Sequence, residues 1–155
     1  MSGFPADLPP ELKVLMGVYY LYWKVDELIA ASDKKHVLAK NELQMLISLE
    51  QSKRMGEIAE NMQVLPSTVT NIADTLESQG FITRQRDPDD RRAWRLSLTD
   101  EGRQLRAEYI DYVSTLFHDV SGLSQAETKT IADLMLKVAS HIKAGGLPEG
   151  VIECL

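Results

Sequence analysis

The fold is decided by GEIAENMQVLPSTVTNIADTLESQG, the stretch from Gly56 to Gly80. Its beginning predicts a short helix over Gly56–Met62, whose apolar residues share one side. Residues 63–65 form a tight connection, and Pro66 suits the first turn of a second helix. In that helix an apolar stripe with helical spacing runs from Val69 to Leu76, and the glycine at 80 suits the left-handed position after a helix. The stretch therefore predicts a helix-turn-helix pair.

Two short strands are predicted directly after these helices. The first runs from Phe81 to Asp87 and leads into the turn sequence Pro88–Asp90. The second runs from Arg92 to Leu98, with alternate residues on opposite faces, and its pattern predicts that Trp94 packs beneath the hairpin. A helix-turn-helix followed by a β-hairpin is a winged helix-turn-helix, whose second helix enters the DNA major groove.

The rest of the chain has helical spacing of its apolar residues. A first helix opens at Pro10 and is interrupted by Ser32–His36, and another fits Leu43 to Glu50. Thr99 caps a long helix that breaks at Ser121–Gly122. Ser124 and Glu127 form a capping box for the last helix, which ends at Gly145–Gly146. The fold class predicted is mainly α with a small β-hairpin wing, in one continuous unit.

Charge is distributed unevenly along this acidic chain. The 155 residues carry 17 Lys and Arg against 23 Asp and Glu, a net charge of −6 and a sequence pI near 5.1, which argues against nonspecific binding to a polyanion. Seven of the eight arginines nevertheless lie between positions 84 and 106. Internal ion pairs on a solvated face are one interpretation, because five acidic residues share this window. The helix-turn-helix before it favours the other interpretation, a DNA-binding footprint.

The predicted DNA contacts lie on the second helix of the pair and on the hairpin. Short hydroxyls serve phosphates or either base type, and Asn71 suits a bidentate contact to adenine, worth about 1–3 kcal/mol of discrimination. Arginines at the hairpin tip suit a narrow minor groove, where the negative potential is enhanced. The residues are Ser67, Thr68, Thr70 and Asn71 on the helix, and Arg84, Arg86, Arg91 and Arg92 on the hairpin.

Four ordered segments resemble the MarR family of bacterial transcriptional regulators, and the likeness extends over nearly the whole chain. They are IAENMQVLPSTVTNI (58–72), LESQGFITR (76–84), DPDDRR (87–92) and LSLTDEG (96–102). The resemblance implies that Asp90 braces a wing-tip arginine, Arg92, which enters the minor groove with Arg91 nearby. Two positions depart from the family pattern: Asn71 stands where many members have Arg, and Leu38-Ala39 replaces the usual Leu-Thr.

The resemblance also implies a homodimer that binds a palindromic operator in double-stranded DNA. Residues 1–37 and 100–155 would then form the dimerisation helices and residues 38–99 the DNA-binding lobe. The large apolar residues of the first helix and of the last two helices are consistent with a dimer, because a single chain has little else against which to bury them. Two-fold symmetry predicts half-sites roughly 10 base pairs apart.

Family members often bind small phenolic or other aromatic anions, so the resemblance implies a ligand-responsive repressor. Tyr19, Tyr20 and Trp23 are candidates for such a pocket. Packing in the dimer core is the alternative interpretation, and the spacing favours it.

Other function classes find little support in the sequence. No nucleophile elbow, P-loop or dinucleotide fingerprint is present, so neither an enzyme nor a cofactor is predicted. Two alternatives are left open. One is a zinc-responsive regulator using His36, His118 and His141, and the other is a winged-helix protein-interaction module. Peroxide-sensing members of the family use a reactive cysteine near the N-terminus. The single cysteine of this chain, Cys154, lies near the C-terminus, so thiol-based sensing is not expected. No signal peptide is recognised, and the longest apolar run, Val14–Trp23, is too short to cross a bilayer, so a cytoplasmic protein is expected.

Overall fold

The computed structural model describes residues 4–5, 7–31 and 38–145. They form a mostly helical chain with one small antiparallel sheet, which confirms the predicted mainly α class with a β-hairpin wing. In chain order the elements are α1 (Pro10–Ala30), α2 (Lys40–Ser48), β1 (Lys53–Arg54), α3 (Met55–Met62), α4 (Pro66–Ser78), β2 (Ile82–Arg86), β3 (Trp94–Leu98), α5 (Asp100–Ser121) and α6 (Gln125–Gly145). The predicted interruption at Ser32–His36 lies outside the described residues, as does Cys154.

The sheet has three strands in the order β1-β3-β2, one more than the sequence predicts. β1 pairs Lys53 with Leu96, and in the hairpin Ile82 lies opposite Leu98. The two hairpin strands are shorter than predicted because residues 87–93 form a closed turn. In that turn Asp87 N–H donates to the Ala93 carbonyl at 3.0 Å.

The chain divides into two compact units, residues 25–115 and residues 1–24 with 116–155. The predicted lobe, residues 38–99, lies within the first unit. Its core joins α2, α3, α4 and the sheet, and the whole predicted stripe of α4 from Val69 to Leu76 is buried. The helix ends also confirm the sequence analysis: Pro66 is the first residue of α4, and Gly80 has a φ of +80°.

The first turn of α5 lies against the chain segment that leads from α4 into β2. Thr99 Oγ1 accepts the Gly102 N–H at 2.9 Å and donates to the Gly80 carbonyl at 2.7 Å, so the predicted cap is confirmed. Thr99 N–H donates to the Phe81 carbonyl at 3.0 Å. A Cβ added to Gly102 would lie only 1.9 Å from that same carbonyl oxygen. Glycine is therefore required at 102 by the close approach of the backbones.

The second unit leaves large apolar side chains exposed. Neither α1 nor α6 contains a buried residue, although both carry helical stripes of apolar side chains. The most exposed large hydrophobic residues of this unit are Leu15, Tyr19 and Leu136. The capping box is confirmed, because Ser124 N–H donates to Glu127 Oε2 at 2.8 Å. The helices of this unit are thus well formed but lack a core of their own.

Candidate nucleic-acid interface

The exposed face of α4 carries short polar side chains, as predicted. Ser67, Thr70 and Asn71 are exposed and Thr68 is half-buried, on the side opposite the buried stripe. The Thr70 hydroxyl donates to the Pro66 carbonyl at 3.1 Å, which leaves its oxygen available as an acceptor. Asn71 makes no side-chain hydrogen bond with any residue of the described ranges, so its amide has its full capacity for an external partner.

Arg84 fastens β2 to α4. Its Nη2 contacts Asp74 Oδ1, and its Nε forms an ion pair with Glu77 Oε2 at 3.2 Å, although that N–H is not aligned for a hydrogen bond. The backbone N–H of Arg84 also donates to Glu77 Oε1 at 3.2 Å. Two carboxylates therefore compensate a charge that the sequence assigned to DNA contact. This geometry gives Arg84 a positioning role between the helix and the hairpin.

Arg86 is also engaged within the hairpin. Its guanidinium carbon lies 3.8 Å from the centroid of the Trp94 ring, at a register position where the two residues face each other across the strands. Nη1 donates to the Arg91 carbonyl at 3.2 Å. Trp94 is 38% exposed, so the prediction that it packs beneath the hairpin is wrong. The indole supports Arg86 through a cation–π contact, and Arg86 in turn holds the hairpin loop.

Asp87 is a fully buried carboxylate at the base of the hairpin turn. It accepts hydrogen bonds from Arg54 Nε at 2.7 Å, Arg54 Nη2 at 3.0 Å and Arg95 Nη1 at 3.1 Å. The backbone N–H groups of Asp89 and Asp90 donate to its Oδ1 at 2.9 and 3.0 Å. The Arg54 hydrogen bonds hold the pKa of Asp87 well below its ordinary value, and the same contact raises the pKa of Arg54. One carboxylate thus joins β1, β3 and the turn.

This role of Asp87 is not visible in the local sequence pattern. An aspartate before a proline has the composition of an ordinary turn, and its main partner, Arg54, lies 33 residues away. The one available signal was that Arg54 stands apart from the other seven arginines.

The tip of the hairpin presents Arg91 and Arg92, both exposed. Asp90 Oδ1 accepts the backbone N–H of Arg92 at 3.0 Å and so closes the turn. The observed contact is thus to the backbone, whereas the resemblance implied that Asp90 braces the Arg92 side chain. Within residues 4–5, 7–31 and 38–145, no ion pair involves the guanidinium of Arg91 or Arg92.

The arginines of the cluster divide into those that form ion pairs and those that do not. Arg84, Arg95 and Arg103 form ion pairs inside the protein, as the solvated-face interpretation expected. Arg106 Nε donates to the Ile47 carbonyl at 3.0 Å. Arg86 and Arg106 also lack a carboxylate partner, but their guanidiniums are engaged by the Trp94 ring and by backbone carbonyls. In the described residues, the side chains of Arg91 and Arg92 at the hairpin tip have no such contact. The candidate interface therefore combines the tip with the exposed face of α4.

Of the three aromatic residues predicted to bind a ligand, Tyr20 lines a cavity in the described residues. A cavity of about 610 Å³ in the unit of residues 1–24 and 116–155 is lined by Tyr20, with apolar residues such as Leu134 and Met135 and two lysines, Lys13 and Lys24. Tyr19 and Trp23 do not line it. Tyr19 packs edge-on against Tyr20, with ring centroids 5.9 Å apart.

The described residues contain neither a metal-binding cluster nor a helix able to span a membrane. Across the described ranges, no three His, Cys, Asp or Glu side chains are grouped closely enough to hold a metal ion. His118 Nδ1 lies 3.2 Å from the Leu123 carbonyl oxygen, and His36 lies outside those ranges. None of the helices in the described part combines the length and hydrophobicity that crossing a membrane requires.

Comparison with known proteins gives matches in sequence and in structure. A model of the MarR family matches residues 40–94. The HTH-type transcriptional repressor MdtR of Bacillus subtilis is 38% identical over 91 residues, which span 57% of this chain and 59% of MdtR. The match thus covers less than two thirds of that relative.

Two solved structures extend the likeness beyond this segment. YusO of Bacillus subtilis is 32% identical with a TM-score of 0.62, over 84% of this chain and 94% of YusO. FabT of Streptococcus pneumoniae, solved in complex with DNA, is 19% identical with a TM-score of 0.66, over 86% of this chain and 96% of FabT. At that identity the second likeness shows the fold alone.

Proposed function

The chain belongs to the MarR family, and from that premise we propose that it is a transcriptional regulator that binds an operator in double-stranded DNA. One observation carries the proposal: the hairpin tip offers Arg91 and Arg92 without an internal ion pair in the described residues, although the chain as a whole is acidic. An uncompensated guanidinium pair on a projecting turn suits phosphates and a narrow minor groove.

In this proposal α4 is the recognition helix and lies in the major groove. Asn71 pairs with an adenine through its amide, while Ser67, Thr68 and Thr70 contact phosphates or base edges. Arg84 holds the hairpin beside the helix through Asp74, and Arg86 supports the hairpin itself through its contact with Trp94. Sequence preference then resides mainly in α4 and affinity mainly in the tip.

We propose a homodimer as the assembly that binds DNA. The support is the apolar surface of α1 and α6, where residues such as Leu15, Leu134 and Leu136 stay more than half exposed in the single chain. Large exposed apolar side chains in such number mark an interaction site. A second copy of the chain brings the same helices, so a two-fold pairing buries both stripes and presents two tips to a palindrome.

We further propose repression that is relieved by a small aromatic or phenolic anion. The support is the cavity lined by Tyr20, whose walls are mainly apolar and whose two lysines suit a carboxylate or phenolate. The matching segment of MdtR, a protein named as a repressor, favours this sign of regulation. Titration of the protein–operator complex with a panel of aromatic acids tests the idea, and Tyr20→Ala should abolish the release.

The main experiment is selection of binding sites with the purified protein, followed by affinity measurements over a series of salt concentrations. Arg92→Ala should weaken operator binding by about 1–3 kcal/mol and reduce the salt slope by roughly 1. Arg103→Ala is the matched control. Because the Arg103 guanidinium is already paired with Asp100, this variant should leave the salt slope unchanged. Asn71→Ala should change the selected sequence.

Two outcomes would contradict the proposal. Equal affinities of the wild type and Arg92→Ala at moderate salt would remove the tip from the interface. Selection of no DNA sequence at all would favour the protein-interaction module. Light scattering tests the assembly separately. One chain has a mass of 17.4 kDa, and the measured mass should be twice that value.

A further inference from the structure

Leu65 is an unusually exposed apolar residue at the start of α4. Its side chain is 70% exposed, whereas the other exposed large hydrophobics described in the same unit, Ile47, Trp94 and Ile110, are all at 38–39%. The preceding residue, Val64, packs against the hydrophobic core, but Leu65 does not belong to that cluster. Its exposure is therefore a local feature of the α4 start and not of a wider apolar patch.

The backbone at this position is fixed. Leu65 is the N-cap residue of α4, and its carbonyl accepts the N–H groups of Thr68 at 2.9 Å and Val69 at 3.2 Å. Ser, Thr, Asp and Asn are strongly preferred at an N-cap because their side chains accept a helix N–H, while leucine is among the least favoured residues there. No side-chain cap is formed. The sequence thus places a water-exposed leucine where a small polar residue would stabilise the helix.

We infer that Leu65 contacts the C5 methyl group of a thymine in the major groove and so determines part of the operator sequence. The inference rests on the proposed function, in which the first residues of α4 are the ones nearest the bases. The thymine methyl is an apolar group in a groove otherwise lined by hydrogen-bonding atoms, and apolar side chains read it by direct contact. Next to Leu65 on this turn lie Pro66, which is also exposed, and the exposed hydroxyl of Ser67.

The position of Leu65 on α4 favours thymine over another protein as its contact partner. Leu65 lies on the same helix as Thr70 and Asn71, whose side chains are exposed and polar, so a wholly apolar partner would leave those groups unpaired. A base pair containing thymine offers both a methyl group and hydrogen-bonding edges.

The test removes one methyl group from the DNA. In the selected operator, each thymine is replaced in turn by deoxyuridine, which leaves every hydrogen-bonding atom in place. At one position in each half-site the wild type should lose about fourfold in affinity, the equivalent of one buried methyl group. Leu65→Ser should bind the thymine and deoxyuridine operators equally at that position. Ile47→Ser is the matched control, an exposed apolar residue of the same unit that should keep the fourfold preference.

A urea unfolding curve shows that the variant is folded, and serine at the N-cap should keep its midpoint at or above that of the wild type. The inference is overturned if the wild type shows no position-specific loss with deoxyuridine, or if Leu65→Ser keeps that loss. Reduced self-association of Leu65→Ser with unchanged methyl sensitivity would also overturn it and assign the leucine to a protein contact. These results are distinct from failure of the proposed function, in which no operator is selected.

Discussion

Replacement of Gly102 by alanine should strongly destabilise the protein, because the first turn of α5 lies directly against a carbonyl group. The new Cβ would lie 1.9 Å from the Phe81 oxygen and 2.9 Å from its carbonyl carbon. Relief requires α5 to move by about an ångström from the start of β2. That movement stretches two hydrogen bonds of Thr99, to the Phe81 and Gly80 carbonyls.

The magnitude follows from these contacts. Overpacking costs about 1–3 kcal/mol, and each lost hydrogen bond about 0.5–1.5 kcal/mol. The better helix propensity of alanine returns up to about 1 kcal/mol. Gly102→Ala should therefore lower the free energy of unfolding by about 1–6 kcal/mol.

Urea unfolding followed by circular dichroism measures this difference, at one fixed protein concentration because an associating chain gains stability with concentration. Gly56→Ala is the matched control, a helical glycine with no atom within 4 Å of an added Cβ, and it should be neutral or slightly stabilising. If Gly102→Ala unfolds within about 0.5 kcal/mol of the wild type, the close approach does not exist and the reasoning fails.

Three further predictions concern the hairpin and its junction. Asp87 has a lowered pKa, so its carboxylate stabilises the fold fully above the ordinary carboxyl pKa of about 4, and this stabilisation is lost as the pH falls below that value. Asp87→Asn should therefore be less stable than the wild type at pH 7. A difference in unfolding free energy between the two proteins that stays constant down to pH 3 would contradict this. Arg86→Ala should uncover Trp94, so in a Trp23→Phe background its emission should shift to the red and acrylamide should quench it faster, whereas an unchanged spectrum would argue against the stack. Thr99→Val should cost about 1 kcal/mol in urea unfolding through loss of the α5 cap, and an unchanged midpoint would contradict that role.

Short-range patterns were the reliable part of the sequence analysis. The stripe of α4, the left-handed Gly80 and the Thr99 cap all depend on residues within a few positions of each other, and the structure confirms each. β1 was missed because two residues carry no detectable alternation, and it becomes a strand only by pairing with β3.

The assignment of the arginines could not be read from the sequence. From composition alone, Arg84 and Arg92 are equally good candidates for DNA contact. In the structure two carboxylates neutralise Arg84, whereas Arg92 has no ion pair in the described residues. The difference depends on which acidic residue folding brings near, as when Asp87 meets Arg54 across 33 positions. Periodicity reports which side of an element is apolar, but it does not report long-range partners.

The ion pairs of Arg84 have a consequence for how binding could be switched. Because one guanidinium joins β2 to Asp74 and Glu77 on α4, and both elements pack into the same core, we expect the hairpin and the helix to move together. In the proposed regulator, a signal that removes one of them from DNA should therefore remove the other. An inducer of the proposed dimer would act by changing the spacing or the tilt of its two lobes, and its effect on the tip and on α4 should appear at the same ligand concentration.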